Sequence, residues 1–290
     1  MTSNRRHKIT NFAWSKLRDP STGLAAAKAL VQLRALLLVA HPDDETIGAS
    51  AIMPRISDCT VAYLTDGAPL DPRFWSPTAK GSRADYASTR WREALSALAL
   101  VGIPPNRIHW LGGVDQDAIC DLRLLITRFT DLLRQLRPQL VITHPYEGGH
   151  PDHDAAALVA HAAIKLLEPD REDAPKLLEM TSYHAREGKC ETGQFLSLQA
   201  RSRGQLKIIL SSQDRSRKAR MLACYDSQRM ILEGLGSHVE RLRIAPTYDF
   251  TQPPHEGKLW YECLQWPITG ARWRQFAAPA AVQLRRDVCV

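Results

Sequence analysis

Six apolar residues in a row, residues 35–40 (ALLLVA), stop abruptly at His41. An unbroken apolar run of that length, ending where polar residues begin, suits a strand buried on both faces. Residues 60–65 (TVAYLT) and 139–143 (QLVIT) read the same way, with further strands expected at 107–111 and 180–184. Helical spacing fills the gaps, over residues 24–33, 45–54, 86–101, 118–136 and 151–167. In the second interval strand-to-strand helix, Tyr86, Ala94, Leu95, Leu98 and Val101 share one side, and Arg90, Arg92 and Glu93 turn to the other. Gly102 and Pro104-Pro105 stop that helix, while Pro151 sits at a first helical position that favours proline. Strands alternating with helices of this length predict a doubly wound α/β sheet.

The polar, Pro/Gly/Ser-containing stretch 71–83 predicts a loop beside a site. After about residue 190 the pattern loosens. Residues 216–234 read as a helix, and the Pro-, Trp- and Tyr-rich segment 246–274 as strands and loops packed on the main sheet. The expected organisation is one domain over 1–290, with a core of about 34–190 and a C-terminal aromatic-rich elaboration of about 190–290.

Composition adds exclusions. The 290 residues carry 38 Lys+Arg against 31 Asp+Glu, a net charge of +7, with 44% hydrophobic and 24% charged residues. These are ordinary values for a globular protein. Basic residues thicken over 201–220 and at Arg272, Arg274, Arg285 and Arg286 without any recognisable DNA- or RNA-binding module, so they are read as a solvated face and no nucleic-acid partner is expected. Six scattered cysteines form no framework, and no apolar run reaches the length of a membrane span. The beginning of the chain does not resemble a signal peptide, and the expected compartment is the cytoplasm.

The chemistry concentrates where two buried strands end. His41-Pro42-Asp43-Asp44-Glu45 follows the first, and His144-Pro145-Tyr146-Glu147-Gly148-Gly149-His150-Pro151-Asp152-His153 follows the QLVIT strand. Ligands of open α/β sheets bind at such carboxyl ends. Two histidines and a carboxylate form the N/O set of a catalytic divalent zinc with one position open for water, and a second carboxylate beside them can take that water's proton. Asp43 and Asp44 supply a carboxylate pair, and His150 is placed to donate to an oxyanion or to protonate a leaving amine. Each segment also has a plainer reading, as an N-capping turn before a helix.

A-H-P-D-D-E after a buried strand, followed about a hundred residues later by H-P-D-H opening a helix, resembles the PIG-L/LmbE-like family of zinc-dependent N-acetylglucosaminyl deacetylases. Thr65-Asp66-Gly67, residues 90–102, the T-H-P-Y-E-G-G lead-in and residues 218–228 (KARMLACYDSQ) also resemble family segments, so the likeness covers about 36–228. The resemblance implies a Rossmann-like, mostly parallel sheet with helices on both faces and one zinc per chain, with Fe2+ as the alternative. It further implies hydrolysis of an N-acyl group from an amino sugar or glycoconjugate. His41, Asp44 and His153 would bind the metal, Asp43 would be the general base, His150 would stabilise the tetrahedral intermediate or act as acid, and Asp152 would orient a histidine.

Arg90, His144 and Trp260 are candidate substrate contacts, although Arg90 also suits a surface partner of Glu93 or Asp85, and the aromatics also suit packing. Glu45 is read as support for a helix N-terminus in preference to a contact with the metal's own ligands. A homo-oligomer is compatible with the sequence. The alternative function is a carbohydrate-binding protein that keeps the pocket without the activity.

Overall fold

The computed structural model describes residues 32–167, 174–196, 205–233 and 238–286. The helical spacing at 24–31, His7, residues 201–204 of the basic stretch and Cys289 lie outside them.

Strand β1 (Arg34–Val39) is buried along almost its whole length, as its run of Leu and Val dictates. It pairs in parallel with β2 (Asp58–Thr65) on one side and β4 (Leu140–Thr143) on the other; β3 (Ile108–Gly113) extends the sheet beyond β2 and β5 (Lys176–Met180) beyond β4. Two antiparallel strands, β9 (Val239–Ile244) and β8 (Gln205–Ile209), complete the order β3-β2-β1-β4-β5-β9-β8. The sheet is therefore mostly parallel, as expected, with an antiparallel edge that the sequence pattern did not announce. Its order reverses between β1 and β4, and both histidine-rich segments leave from there.

Helices cover both faces. On one lie α1 (Asp44–Ala49), α2 (Arg83–Ala99) and α5 (Ser212–Leu222), around a core containing Leu37, Val39, Tyr63, Leu98, Met221 and Tyr225. On the other lie α3 (Leu122–Leu136), α4 (Pro151–Leu166) and the C-terminal α8 (Gly270–Arg286), around Leu36, Leu38, Phe129, Leu158 and Trp273. Leu38 and Val39 thus feed opposite cores, which is why the strand reads as continuous apolar sequence.

Three expectations change. Residues 180–184 are not one strand: β5 ends at Met180, the chain turns at Thr181-Ser182, and β6 (Tyr183–Arg186) forms a separate hairpin with β7 (Lys189–Thr192). The turn is fixed by Thr181 N–H donating to Arg241 O and Gly193 N–H donating to Ser182 O. Residues 216–234 are not one helix. Helix α5 begins earlier, at a Ser211/Asp214 capping box, and a turn at Asp226–Gln228 separates it from α6 (Arg229–Leu232). Residues 246–274 hold no strand among the described residues. They form irregular chain, the short α7 (Trp260–Cys263) and the start of α8, whose Trp273, Ala277 and Ala281 pack at fourfold spacing into the second core.

The basic stretch 201–220 is only partly a solvated face. Lys218 is buried and donates to Glu240 (3.0 Å) and to Ile47 O (2.6 Å), and Arg217 pairs with Asp214. No described helix is long and apolar enough to cross a membrane.

Candidate active site

The first site loop turns sharply after Ala40. Asp43 occupies the N-cap position of α1, but with φ of 133° and no side-chain cap. A non-glycine residue in that region is strained, and such strain persists only where the surroundings over-determine it. Here Arg90 imposes it, donating from one guanidinium nitrogen to Asp43 Oδ2 (2.9 Å) and Pro42 O (2.6 Å) and from Nε to Gly67 O (3.2 Å). The helix-capping reading of Asp43 fails, because its carboxylate turns to Arg90 and the cavity. Asp44 Oδ2 accepts instead from the His41 amide (2.8 Å).

Glu45 does more than support a helix start. It is buried and accepts from Thr46 (2.6 Å), Tyr63 (3.0 Å), Tyr225 (2.5 Å) and the Asp43 amide (3.2 Å), fastening the strained turn to β2 and to the segment after α5. The KARMLACYDSQ segment serves this framework. Besides Lys218 and Tyr225, Ser227 donates to Glu93 (2.6 Å) and Gln228 to Tyr86 (2.7 Å), holding the helix that carries Arg90.

The second loop ends where α4 begins. His150 caps that helix, its Nδ1 accepting from the Asp152 amide (3.1 Å), and Pro151 follows at the first helical position. The capping reading of H-P-D-H is therefore correct, and it has a chemical result: with Nδ1 accepting, the neutral ring carries its proton on Nε2. Burial and the neighbouring His41 and His153 hold the His150 pKa well below its ordinary value. It is a neutral hydrogen-bond donor. Gly149 is required here because a Cβ would lie 1.9 Å from Tyr183 O.

The ligand-type atoms converge. His41 Nδ1 lies 3.3 Å from Asp44 Oδ2, and His153 Nε2 lies 3.2 Å from Asp44 Oδ1. These spacings are close to those of neighbouring ligands around a tetrahedral ion with bonds of about 2.0–2.1 Å. His153 Nε2 is buried without a hydrogen-bond partner, and its Nδ1 pairs with Ser182 Oγ (3.2 Å). His41 Nε2 lies 3.1 Å from Asp152 Oδ2 and its Nδ1 3.3 Å from Asp44 Oδ2; against burial, which lowers it, Asp115, Asp152 and Asp44 hold the His41 pKa well above its ordinary value. A carboxylate behind a histidine in this way fixes the tautomer of a metal ligand. Among the described residues, His41, His150 and His153, and likewise Asp44, His144 and His153, bring ligand-type atoms within 4.8 Å of one another, so this His/Asp group fits a divalent metal.

His144 is the correction. It is fully buried, stacks on His153 (3.9 Å, 12°) and accepts at Nε2 from the Ala40 amide (3.1 Å). It lies 3.3 Å from Asp44, but that lone pair is taken, and the ring does not line the cavity, so it backs the cluster and is no substrate contact.

A cavity opens on the site, lined by His41, Asp43, Asp44, Arg90, His150 and Trp260 among others. Arg90 is 2% exposed and holds Asp43; its expected partner Glu93 does lie 3.6 Å from Nη1, but the pair is buried and not on the surface. Burial pushes Asp43 up to about 7, against the pull of Arg90, and pushes Asp152 up to about 6 against that of His41. Sequence reasoning missed Asp115, whose Oδ1 lies 3.2 Å from His41 Nε2, and Ser182. Asp115 follows β3 at the same carboxyl edge, so the strand-end rule applied to every parallel strand would have found it. Nothing local marks Ser182.

Residues 36–164 match the family model "PIG-L: GlcNAc-PI de-N-acetylase". The chain is 30% identical over 179 residues to a 1D-myo-inositol 2-acetamido-2-deoxy-alpha-D-glucopyranoside deacetylase of Gordonia bronchialis, an alignment covering 52% of this chain and 63% of that relative. The chain thus spans less than two thirds of the curated relative it matches. Its fold is similar to that of a deacetylase in the biosynthesis pathway of teicoplanin, with a TM-score of 0.52 and 17% identity over 72% of this chain and 96% of the other. It is equally similar to a 4-carboxy-2-hydroxymuconate hydratase of Pseudomonas putida, with a TM-score of 0.51 and 17% identity over 74% of this chain and 98% of the other. One fold thus serves different reactions, and function has to be argued from the site. The matched residues 36–164 hold both histidine-rich loops.

Proposed function

We propose that the protein is a metal-dependent hydrolase that removes an N-acetyl or other N-acyl group from an amino sugar or sugar-containing conjugate. The observation that carries this reading is the pairing of two devices at one cavity: His41 and His153 ring nitrogens gathered within 3.2–3.3 Å of the Asp44 carboxylate, and Asp43 held by Arg90 in a strained position beside them. The similarity to a deacetylase of an acetamido-sugar supports the reaction class. His41, Asp44 and His153 would hold one divalent ion, zinc by its N/O donor set, with iron(II) as the alternative.

Such an ion supplies a Lewis acid for the amide carbonyl and makes its water acidic near neutrality. Asp43, with a pKa matched to neutral pH, accepts the proton of the attacking water and returns it to the departing nitrogen. His150 Nε2–H donates to the carbonyl oxygen as negative charge develops there. The neutral state of His150 favours this task over that of the acid, which falls to protonated Asp43. Asp152 is a positioning residue for His41, and the segment after residue 190 completes the pocket through Trp260.

The partner is a small glycoconjugate, and the unpaired thiols of Cys59, Cys120, Cys190, Cys224 and Cys263 suit a reducing, cytoplasmic setting. The test is metal analysis combined with an amine-release assay over N-acetylated sugars and conjugates. Release of amine that depends on a stoichiometric divalent ion is expected; bound metal without release from any of them overturns the hydrolase reading.

A further inference from the structure

The cavity has two chemically distinct zones. Its floor is polar, made by His41, Asp43, Asp44, Asp115 and His150. Its mouth is apolar and comes from three separate stretches of chain: Phe74 in the loop after β2, Ile231 and Leu232 in α6, and Trp260, Leu264 and Trp266 around α7. Ile231 is 61% exposed and Leu264 43%, and the adjoining Leu70 and Met230 are 60% and 75% exposed. Ile231 and Leu264, two of the ten large apolar residues exposed among the described ones, thus line this opening together with the apolar Phe74, Trp260 and Trp266, and grouped apolar surface of that kind marks a binding surface. Trp266 joins the zones, meeting the ring of His150 edge-on (4.7 Å) and that of Phe74 at 6.1 Å.

Charge at the mouth points the same way. The one Lys or Arg among the described lining residues is Arg90, whose hydrogen bonds go to Asp43 and to the Pro42 and Gly67 carbonyls. Its Nη1 makes no hydrogen bond, but the guanidinium is 2% exposed and lies between the Asp43 and Glu93 carboxylates (2.9 and 3.6 Å), so the charge of this cation is already matched before any phosphate or sulfate arrives. A polyol would leave its hydroxyls against carbon, at the cost of their hydration. The exposed apolar lining, Ile231 and Leu264, stands on other elements than the polar floor, so this surface meets what lies beyond the sugar.

Resting on the deacylase reading above, we propose that the substrate is an N-acylated amino sugar whose aglycone is apolar and uncharged at the point of attachment, and that Phe74, Ile231 and Trp266 set this preference. Burying one Ile or Phe side chain against such a group contributes about 1.5–3 kcal/mol, equivalent to roughly 10- to 150-fold in kcat/KM.

The experiment compares kcat/KM of the metal-loaded, full-length protein on four soluble compounds, all below their critical micelle concentrations. They are methyl, octyl and myo-inositol glycosides of N-acetylglucosamine and methyl N-octanoylglucosaminide. The octyl glycoside is expected to exceed the methyl and inositol glycosides by at least tenfold, and Ile231→Asp and Phe74→Ser to flatten that ratio while the methyl glycoside is still turned over. Equal rates on all glycosides, a preference for the inositol glycoside, or a preference for the N-octanoyl compound overturns the proposal while leaving the deacylase reading intact. So does an octyl advantage that appears only above the micelle threshold, which assigns the apolar ring to an interface. Failure to hydrolyse any of the four with metal bound defeats both.

Discussion

Two buried charge clusters lie on either side of α1, and they are built on opposite principles. Behind the helix, Lys218 and Glu240 form a closed set: Glu240 also accepts from Ser50 (2.5 Å) and the Ala51 amide (2.9 Å), and Lys218 also donates to Ile47 O. In front of it, the His41–Asp44–His153 cluster is rich in acceptors, keeps buried atoms without partners, including His153 Nε2 and Asp152 Oδ1, and opens on a cavity. Burial of charge is common to both. What separates structure from function is whether the hydrogen-bonding capacity is used up, since an unused buried polar group costs stability that only a ligand or a role in chemistry offsets.

The sharpest break of this contrast is His153→Ala. Metal content, measured by elemental analysis after gel filtration, is expected to fall from about one per chain to near zero, and turnover with it. Asp43→Asn should keep the metal and lose about 10²–10⁴ in kcat; full activity in that variant would remove Asp43 from its role. On the closed side, Lys218→Met should leave metal content unchanged but destabilise the fold by about 3–5 kcal/mol, because Glu240 is then buried without its cation. Denaturant unfolding reads this, and an equal stability loss in Asp43→Asn would erase the distinction drawn here.

Asp152→Asn should weaken metal affinity by about 10–100-fold without abolishing binding, by competition with a chelator. The smallest effect is a shift in a pH profile. As the proposed base, Asp43 works ionised, so kcat/KM is expected to rise with pH through its pKa, which burial pushes up to about 7. Arg90 holds that pKa down, so Arg90→Met moves the acid limb to higher pH. A limb that moves lower, or does not move, contradicts the pairing.

The sequence made the central half of this molecule legible because both-face burial gives uninterrupted apolar runs, and because a parallel sheet sends its chemistry to one edge. β1, β2 and β4, the helices they feed and the two histidine loops all follow from that rule. The later half was less readable for physical reasons. The turn at Thr181-Ser182 is fixed by hydrogen bonds to residues 193 and 241, so no local signal separates β5 from β6. The Pro-, Trp- and Tyr-rich residues 246–274 read as strands and loops by composition, yet Trp273 is set by packing against α4, where its indole donates to Pro151 O (2.9 Å). His144 misled for a related reason: the backbone amide that occupies it belongs to Ala40, 104 positions away.

The corner at 181–183 also has a temporal consequence. His41, Asp44 and His153 are all synthesised by residue 153, but Ser182, which orients His153, and the Tyr183 carbonyl, against which Gly149 is seated, come about thirty residues later. A fragment that ends with α4 contains every proposed ligand and none of this support. During synthesis these side chains thus leave the ribosome before the wall that aims them, and the geometry around His153 is complete only once the next hairpin has docked.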